Sequence, residues 1–443
     1  MTFMNTLLRY VPDIKGPTQK NLPFKQKLKW TGIILLLFFI LGAIPIYGLG
    51  ANALSQFEFL SVVLGASFGS IITLGIGPIV TASIVLQLLV GSGILNINTQ
   101  SPEGRSKFQG LQKLLTIFFI IIQAIIYVAM GGLSPEAGIS SFILILQLAI
   151  GGFVILLLDG VINKWGFGSG VSLFIAAGVS QEVFVQAFSP LTPAGSEYMV
   201  GRIPQFFQAL AANDTVTAAL AIAVVLATLV VFGVVVFAQA MKVEIPLSFG
   251  RVRGHGIRWP LNFVYTNVIP VILVSALVAN LQLFSSFSGG TGWVTNVIPY
   301  LTNTDLLTRV VQGNVTAVLL IQSFTYILFF VLASILFSWF WMQTSGLDPK
   351  SQAKQMMSSG LQIPGFRKDA RVLERLLKRY IFPLTIMGGI FIGLLASTAD
   401  LLGVLGGGTG LLLTVMIIYK LYEDVAKQHM EDMNPMLRKM MGR

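Results

Sequence analysis

Apolar residues along the chain come in long, nearly unbroken blocks bounded by short polar or basic segments, with neither helical stripes nor strand-like alternation inside them. A helix crossing the roughly 30 Å hydrocarbon core of a bilayer needs about 20 apolar residues. Hydropathy marks ten such blocks, at residues 30–47, 75–95, 111–130, 140–158, 168–188, 216–239, 261–283, 315–341, 380–397 and 401–421. The predicted fold class is an all-α integral membrane protein with ten transmembrane helices. Five precede the longest polar connection, 189–215, and five follow it. An odd number of spans per half makes the halves, 30–188 and 216–421, run in opposite directions, so they form inverted repeats with a passage at their interface. No residue-level repeat accompanies the span count.

One apolar segment breaks the pattern. FEFLSVVLG at 57–65 carries Glu58 and, at 1.5 Å per residue, reaches only about half a membrane thickness. Gly65 and Gly69 follow it as hinges. It reads either as a re-entrant helix shielded from lipid or as a helix lying on the outer surface; if it spanned, the later segments would change sides.

Charge then orients the chain. Charged residues make up 11% of it, against about a quarter in a soluble domain, which removes the soluble classes. Placing the N-terminus on one side puts segments 1–29, 96–113, 159–167, 241–260, 344–379 and 420–443 together, and these hold 27 of the 29 Lys and Arg residues. Only Arg202 and Arg309 fall opposite. The acidic residues divide far more evenly, so the bias is one of basic residues. By the positive-inside rule the basic side, with both termini, is cytoplasmic. The first apolar block starts at Trp30 behind a basic, proline-containing segment, with no small-residue cleavage pattern, so a cleaved signal peptide is not expected. Residues 1–29 form a cytoplasmic N-terminal segment in which Leu7, Leu8, Val11 and Ile14 alternate with Arg9, Lys15 and Lys20, a pattern suited to the membrane surface. Residues 422–443 form a cytoplasmic tail.

Candidate chemistry is sparse. With no cysteine, disulfides and thiolate metal sites are excluded. The two histidines, His255 and His429, lie outside the apolar blocks. Asp400 falls between the last two spans, Asp159 follows the fourth, and Glu182 is near the outer end of the fifth. Ion-coupled transporters place such groups near the midplane, and an intramembrane protease needs a catalytic constellation that does not occur here. No catalytic residue, metal ligand or cofactor is expected. GGGTG at 406–410 lacks the Gly-Lys-Ser/Thr of a phosphate loop and sits in an apolar span, so its glycines serve close helix packing. Thr81, Gln123 and Asn280 are polar positions within spans, either interhelical glue or a switch, depending on whether they meet.

The cytoplasmic connections carry the strongest polar signal. MKVEIPLSFGRVRGHGIRWP at 241–260 sets Arg251, Arg253 and Arg258 among glycines. Residues 344–379 begin with a short helix that Asp348 can cap, with Pro349 at its first position and Gly360 at its end. They continue through Arg367 and Lys368 into a basic helix over 371–379. These charges orient the chain, and their number also fits docking of a polyanionic partner.

At these residues the chain resembles the SecY family, the channel subunits of the Sec protein translocase, in its archaeal form, counterpart of the eukaryotic Sec translocon alpha subunit. The resemblance runs the length of the chain and is most specific at ITLGIGPIVTASIVLQLLVGS (72–92), GFGSGVSLFIAAGVSQ (166–181), KVEIPL (242–247), TSGLDPK (344–350) and LGGGTGLLLTV (405–415). It implies a protein-conducting channel that passes secretory polypeptides across the membrane and releases hydrophobic segments sideways into lipid, with no enzymatic activity. It implies a pore ring of Ile76, Val80, Val171, Ile175, Ile272 and Leu413. It implies a short re-entrant plug over about 57–67, including Phe57, Glu58, Phe59, Leu60, Val62, Val63 and Leu64. Thr81, Gln123 and Asn280 match a polar cluster at a lateral gate, where many relatives carry an acidic residue in place of Gln123. Arg251, Arg253, Arg258, Arg367, Lys368 and Arg371 match ribosome-docking positions. The implied partners are a SecE (gamma) subunit, a small Sec-beta subunit, the translating ribosome, nascent polypeptides with their signal sequences, and membrane lipid. The principal alternative is a secondary transporter with inverted repeats; a membrane scaffold without a conduit is a third reading.

Overall fold

The structure is a computed structural model that describes residues 14–17, 22–49, 69–91, 94–95, 97, 101–129, 133–136, 138–192, 197–249, 256–267, 269–287, 297–358, 361–362 and 369–433. The plug positions Phe57, Glu58, Phe59, Leu60, Val62, Val63 and Leu64, and the docking positions Arg251, Arg253, Arg367 and Lys368, lie outside the described residues, as do Gly65 and Gly360.

The first half contains α1 (Phe24–Ala43), α2 (Gly77–Gly91), α3 (Pro102–Ala129), α4 (Ser141–Trp165) and α5 (Gly170–Phe188). A short helix α6 (Arg202–Ala211) leads to the second half. There α7 (Thr215–Ala240) is followed by strands β1 (Lys242–Phe249) and β2 (Gly256–Asn262), then α8 (Ile269–Phe287), α9 (Leu306–Val311), α10 (Ala317–Thr344) and α11 (Pro349–Ser358). Strand β3 (Leu361–Gln362), α12 (Ala370–Leu401) and α13 (Gly408–Met433) complete it. Ten of these helices fall on the ten predicted spans. Seven are long and apolar enough to cross a membrane by themselves, and the apolar parts of α2 and α8 are shorter.

Helix starts follow from capping chemistry. Ser140 accepts from Phe142 N at 3.3 Å to open α4, Asp214 accepts from Thr217 N at 3.1 Å to open α7, and Thr316 accepts from Leu319 N at 3.3 Å to open α10. Each satisfies an amide that the first helical turn leaves without an internal partner. In α12, Gly389 and Gly393 lie one turn apart against Ser334 and Ser338 of α10; a Cβ on Gly393 would sit 2.9 Å from Val331 Cα. Small residues at this spacing let two helices approach closely where lipid offers no hydrophobic drive.

Ring contacts and an ion pair gather alternate helix ends on one face. Phe24 at the start of α1 lies 5.4 Å, centroid to centroid, from Phe167, just past α4, and 5.2 Å from His429 of α13. Lys242, just past α7, pairs with Glu423 of α13 at 3.0 Å. The same hydrogen-bonded pair holds the Lys242 ammonium above its usual pKa. At the opposite ends, Gly406 N donates to Gln186 Oε1 at 2.8 Å, tying α5 to the loop before α13 across the two halves. Leu229, Val230 and Phe237 of α7 and Phe324 and Leu332 of α10 are exposed, as lipid-facing positions should be.

Outside the membrane part the chain adds a three-stranded sheet in the order β2-β1-β3. β1 and β2 run antiparallel from Lys242 opposite Asn262 to Ser248 opposite Gly256. Pro246 cannot donate to a ladder; it stands opposite Arg258 of β2, while β3 pairs with β1 at Ser248 and Phe249. Val243 and Ile245 face inward while Lys242 and Glu244 face solvent, the period-two pattern of a one-sided sheet. Asp348 Oδ2 accepts from Ser351 N at 3.1 Å with Pro349 first in α11, as predicted. The basic stretch 371–379 is the opening of α12 rather than a separate helix. Asp369 accepts from Arg371 N at 2.8 Å and the helix runs through Pro383 to Leu401. Asp400, expected between spans, consequently lies in the last turn of α12.

Candidate channel interior, gate and docking face

The ring candidates come from both halves. Ile76 precedes α2 by one residue and Val80 lies in its first turn; Val171 and Ile175 are in α5, Ile272 in α8 and Leu413 in α13. The pairs Ile76–Val80 and Val171–Ile175 are each four residues apart, so each pair presents one helix face. All six join a single central apolar cluster. Ile76, Val80, Ile175 and Leu413 are buried within it, and Val171 and Ile272 are half-buried against it.

The polar trio meets although its members lie in three different helices. Thr81 Oγ1 accepts from Gln123 Nε2 at 3.2 Å and from Asn280 Nδ2 at 3.5 Å, while donating to Gly77 O at 2.9 Å. Asn280 Nδ2 makes its shorter bond within its own helix, to Ala276 O at 2.7 Å. Thr81 and Gln123 belong to the first half and Asn280 to the second, and α2 also packs on α8 and α10 across this boundary. Interhelical hydrogen bonds in membranes average about 0.6 kcal/mol. A contact at 3.5 Å is at the long limit, so the trio biases the two halves together without locking them.

The two basic connections form one body. Ile245 and Leu261 of the sheet, Ala353 and Met356 of α11, and Leu373, Leu377 and Ile381 of α12 share a second core. The spacing of Leu373, Leu377 and Ile381 buries one face of α12. The opposite face presents Arg371, and with it Arg375, Lys378 and Arg379, all exposed. Arg258 on β2 is 79% exposed and pairs with Glu244 at 2.9 Å, an exposed pair that contributes little to stability. Of the predicted docking residues the described ones, Arg258 and Arg371, both lie free of the core. Sequence inspection named only Arg371 among the basic residues of this helix face; the four-residue spacing of the intervening leucines was the signal for the other three.

The two halves thus form one helical membrane bundle, joined by a shared apolar core and a hydrogen-bonded polar trio. The SecY family matches residues 70–422, and the family described as the plug domain of Sec61p matches residues 36–69, which contain the predicted plug. The protein translocase subunit SecY of Methanothermobacter thermautotrophicus is 46% identical, with 98% of each chain covered. A solved protein-conducting channel superposes with TM-score 0.83 at 40% identity over 96% of this chain and 97% of its own. The Sec61 of a canine ribosome-channel complex from the endoplasmic reticulum gives 0.80 at 38% identity over the same shares. The chain belongs to the SecY family. This assignment displaces the secondary-transporter alternative.

Proposed function

We propose that this chain conducts polypeptides across a membrane as the channel-forming subunit of a protein translocase, and releases hydrophobic segments sideways into lipid. The observation that supports the reading is that Ile76, Val80, Val171, Ile175, Ile272 and Leu413, drawn from both halves, all belong to or pack against one apolar core. An aliphatic constriction excludes water and ions by dewetting, and it offers a passing peptide no specific hydrogen bond to break. Ile76, Val80, Val171, Ile175, Ile272 and Leu413 form that seal. The segment about 57–67, within the plug-family match, serves as its plug. The lateral exit opens between α2–α3 and α8–α10, where Thr81, Gln123 and Asn280 set the ease of parting.

The basic face is cytoplasmic and holds both termini, as the bias of 27 of 29 basic residues supports. There Arg251, Arg253, Arg258, Arg367, Lys368 and Arg371 dock the translating ribosome. A SecE-type subunit clamps the two halves and a small Sec-beta subunit completes the complex. The chain itself catalyses no reaction; the ribosome supplies the directed motion.

Vesicles reconstituted with this chain and a SecE-type subunit, supplied with ribosomes translating a secretory precursor, should render the precursor resistant to added protease. Vesicles lacking the chain should not. Equal protection in both would refute the conducting role.

A further inference from the structure

Two carboxylates, Asp159 half-buried and Asp400 buried, have no part in the seal, gate or docking face described above, and each belongs to the helix immediately before a ring-bearing helix. Asp159, near the end of α4, accepts from Val171 N of α5 at 2.9 Å through Oδ1 and from Asn163 Nδ2 at 3.0 Å through Oδ2. Asp400, at the end of α12, accepts from Thr409 N of α13 at 2.9 Å through Oδ1. Its Oδ2 accepts from Tyr326 Oη at 2.8 Å and from the Thr409 hydroxyl.

The two arrangements share their helix-start features, although Asp159 lies twelve residues before the amide it binds and Asp400 nine. The amide bound is the second of its helix in both cases. The first residue is glycine in both, and each is pressed against the preceding helix. A Cβ on Gly170 would lie 2.5 Å from Asp159 Oδ1, and one on Gly408 would run into the backbone of Ala399 and Asp400. Two residues earlier stands another glycine in the left-handed region, Gly168 at φ +71° and Gly406 at φ +73°. Five residues after the first glycine comes a ring residue, Ile175 in one half and Leu413 in the other. The residue-level repeat that the sequence concealed is present here, once per half, at opposite ends of the bundle.

A helix normally takes its cap from the residue just before it. Ser169 stands in that position for α5 but makes no side-chain cap bond, and Gly407 before α13 has no side chain to offer. The cap comes instead from the neighbouring helix. A local cap moves with its own helix, whereas a cap from a neighbour fixes the height and rotation of one helix against another. At 1.5 Å and 100° per residue, a slip of one residue carries Ile175 or Leu413, about 6 Å from the bound amide four residues earlier, out of its place in the seal.

We propose that Asp159 and Asp400 are paired positioning residues of the channel seal, each pinning a ring-bearing helix to the helix before it. The proposal rests on the reading of the aliphatic ring as the seal.

The test compares resting ion conductance of the reconstituted complex for the unaltered chain, the ring variant Leu413→Gly, and Asp159→Ala, Asp400→Ala, Asp159→Glu and Asp159→Asn. Leu413→Gly should leak. Each alanine variant removes the acceptor of a helix-start amide, half-buried at Val171 and buried at Thr409, and should raise leak by about tenfold. Asp159→Glu, which keeps charge and acceptor but displaces α5 by one methylene, should also leak, and it serves if an alanine variant fails to insert. Asp159→Asn keeps an acceptor for Val171 N and should restore the seal, a rescue that loss of stability alone would not produce. Tight Ala and Glu variants beside a leaking Leu413→Gly would overturn the anchoring role. A tight Leu413→Gly would overturn the seal itself, and the anchors with it.

Discussion

Replacing Ile272 with Gly, or Val80 with Asn, should raise the resting ion conductance of the reconstituted channel several-fold while leaving its fold and its subunit association intact. Ile272 is half-buried against the central cluster, and Val80, although only 4% exposed, lies in the first turn of the short helix α2. Truncating an aliphatic side chain in a tightly packed core costs about 2–5 kcal/mol, but a side chain facing a closed passage has packing on one side only and should cost less. What changes is wetting. Glycine removes apolar surface and widens the constriction, and Asn brings hydrogen-bonding atoms into it, so each lowers the barrier that keeps water and ions out. The double variant should leak more than either single one, because both residues enclose the same constriction. Planar-bilayer recordings check this. Unaltered conductance in the double variant would place both residues in ordinary packing.

Charge reversal at Arg258 and Arg371 should weaken ribosome binding strongly without disturbing insertion. Both are exposed, one on β2 and one at the start of α12, and both belong to the body that the second core welds together. Glu at these positions leaves 25 of the 27 basic residues on their side, so the orienting bias persists. Contacts to phosphate make affinity fall steeply with salt, and losing one contact reduces the slope of log affinity against log salt by about 1. The double reversal should therefore lower affinity most at low salt and flatten the slope by about 2. Arg375→Glu, on the same exposed face, should add to the loss. Binding measured across a salt series provides the check, and an unchanged slope would return these arginines to the role of orienting the chain.

Much of this architecture was legible in the sequence because a bilayer constrains a chain severely. Apolar blocks report spans directly, and all ten predicted blocks coincide with helices. Their ends were less legible, since hydropathy marks the edge of the hydrocarbon and not the end of the helix. α1 starts at Phe24 and takes in Lys25, Lys27 and Lys29, whose long side chains can lie along apolar surface and reach water. The basic opening of α12 likewise continues into its span without a break.

The β1–β2 pairing is hard to read in the sequence because Pro246 and Pro260 argue against strands. The ring residues were reached through family motifs. Nothing in the spacing of Val80 and Leu413 places them in one apolar core; tertiary packing does. The same holds for Thr81 and Asn280, 199 residues apart. Asp159 and Asp400 illustrate the limit most clearly. In the sequence they are charges at the edges of apolar blocks, and only the fold turns them inward onto the amides of the next helix.

The path of the polypeptide is the claim on which the rest depends, and disulfide trapping tests it most directly. The chain has no native cysteine, so single cysteines at Ile76, Ile175, Ile272 or Leu413 can be introduced without background. Each is offered to a secretory chain arrested midway on the ribosome and carrying one cysteine within the membrane-spanning stretch. The account predicts disulfides from all four positions to the same short window of the arrested chain, and none from a cysteine at lipid-facing Phe324. Efficient trapping at Phe324 with none at the four ring positions would contradict passage through the interior.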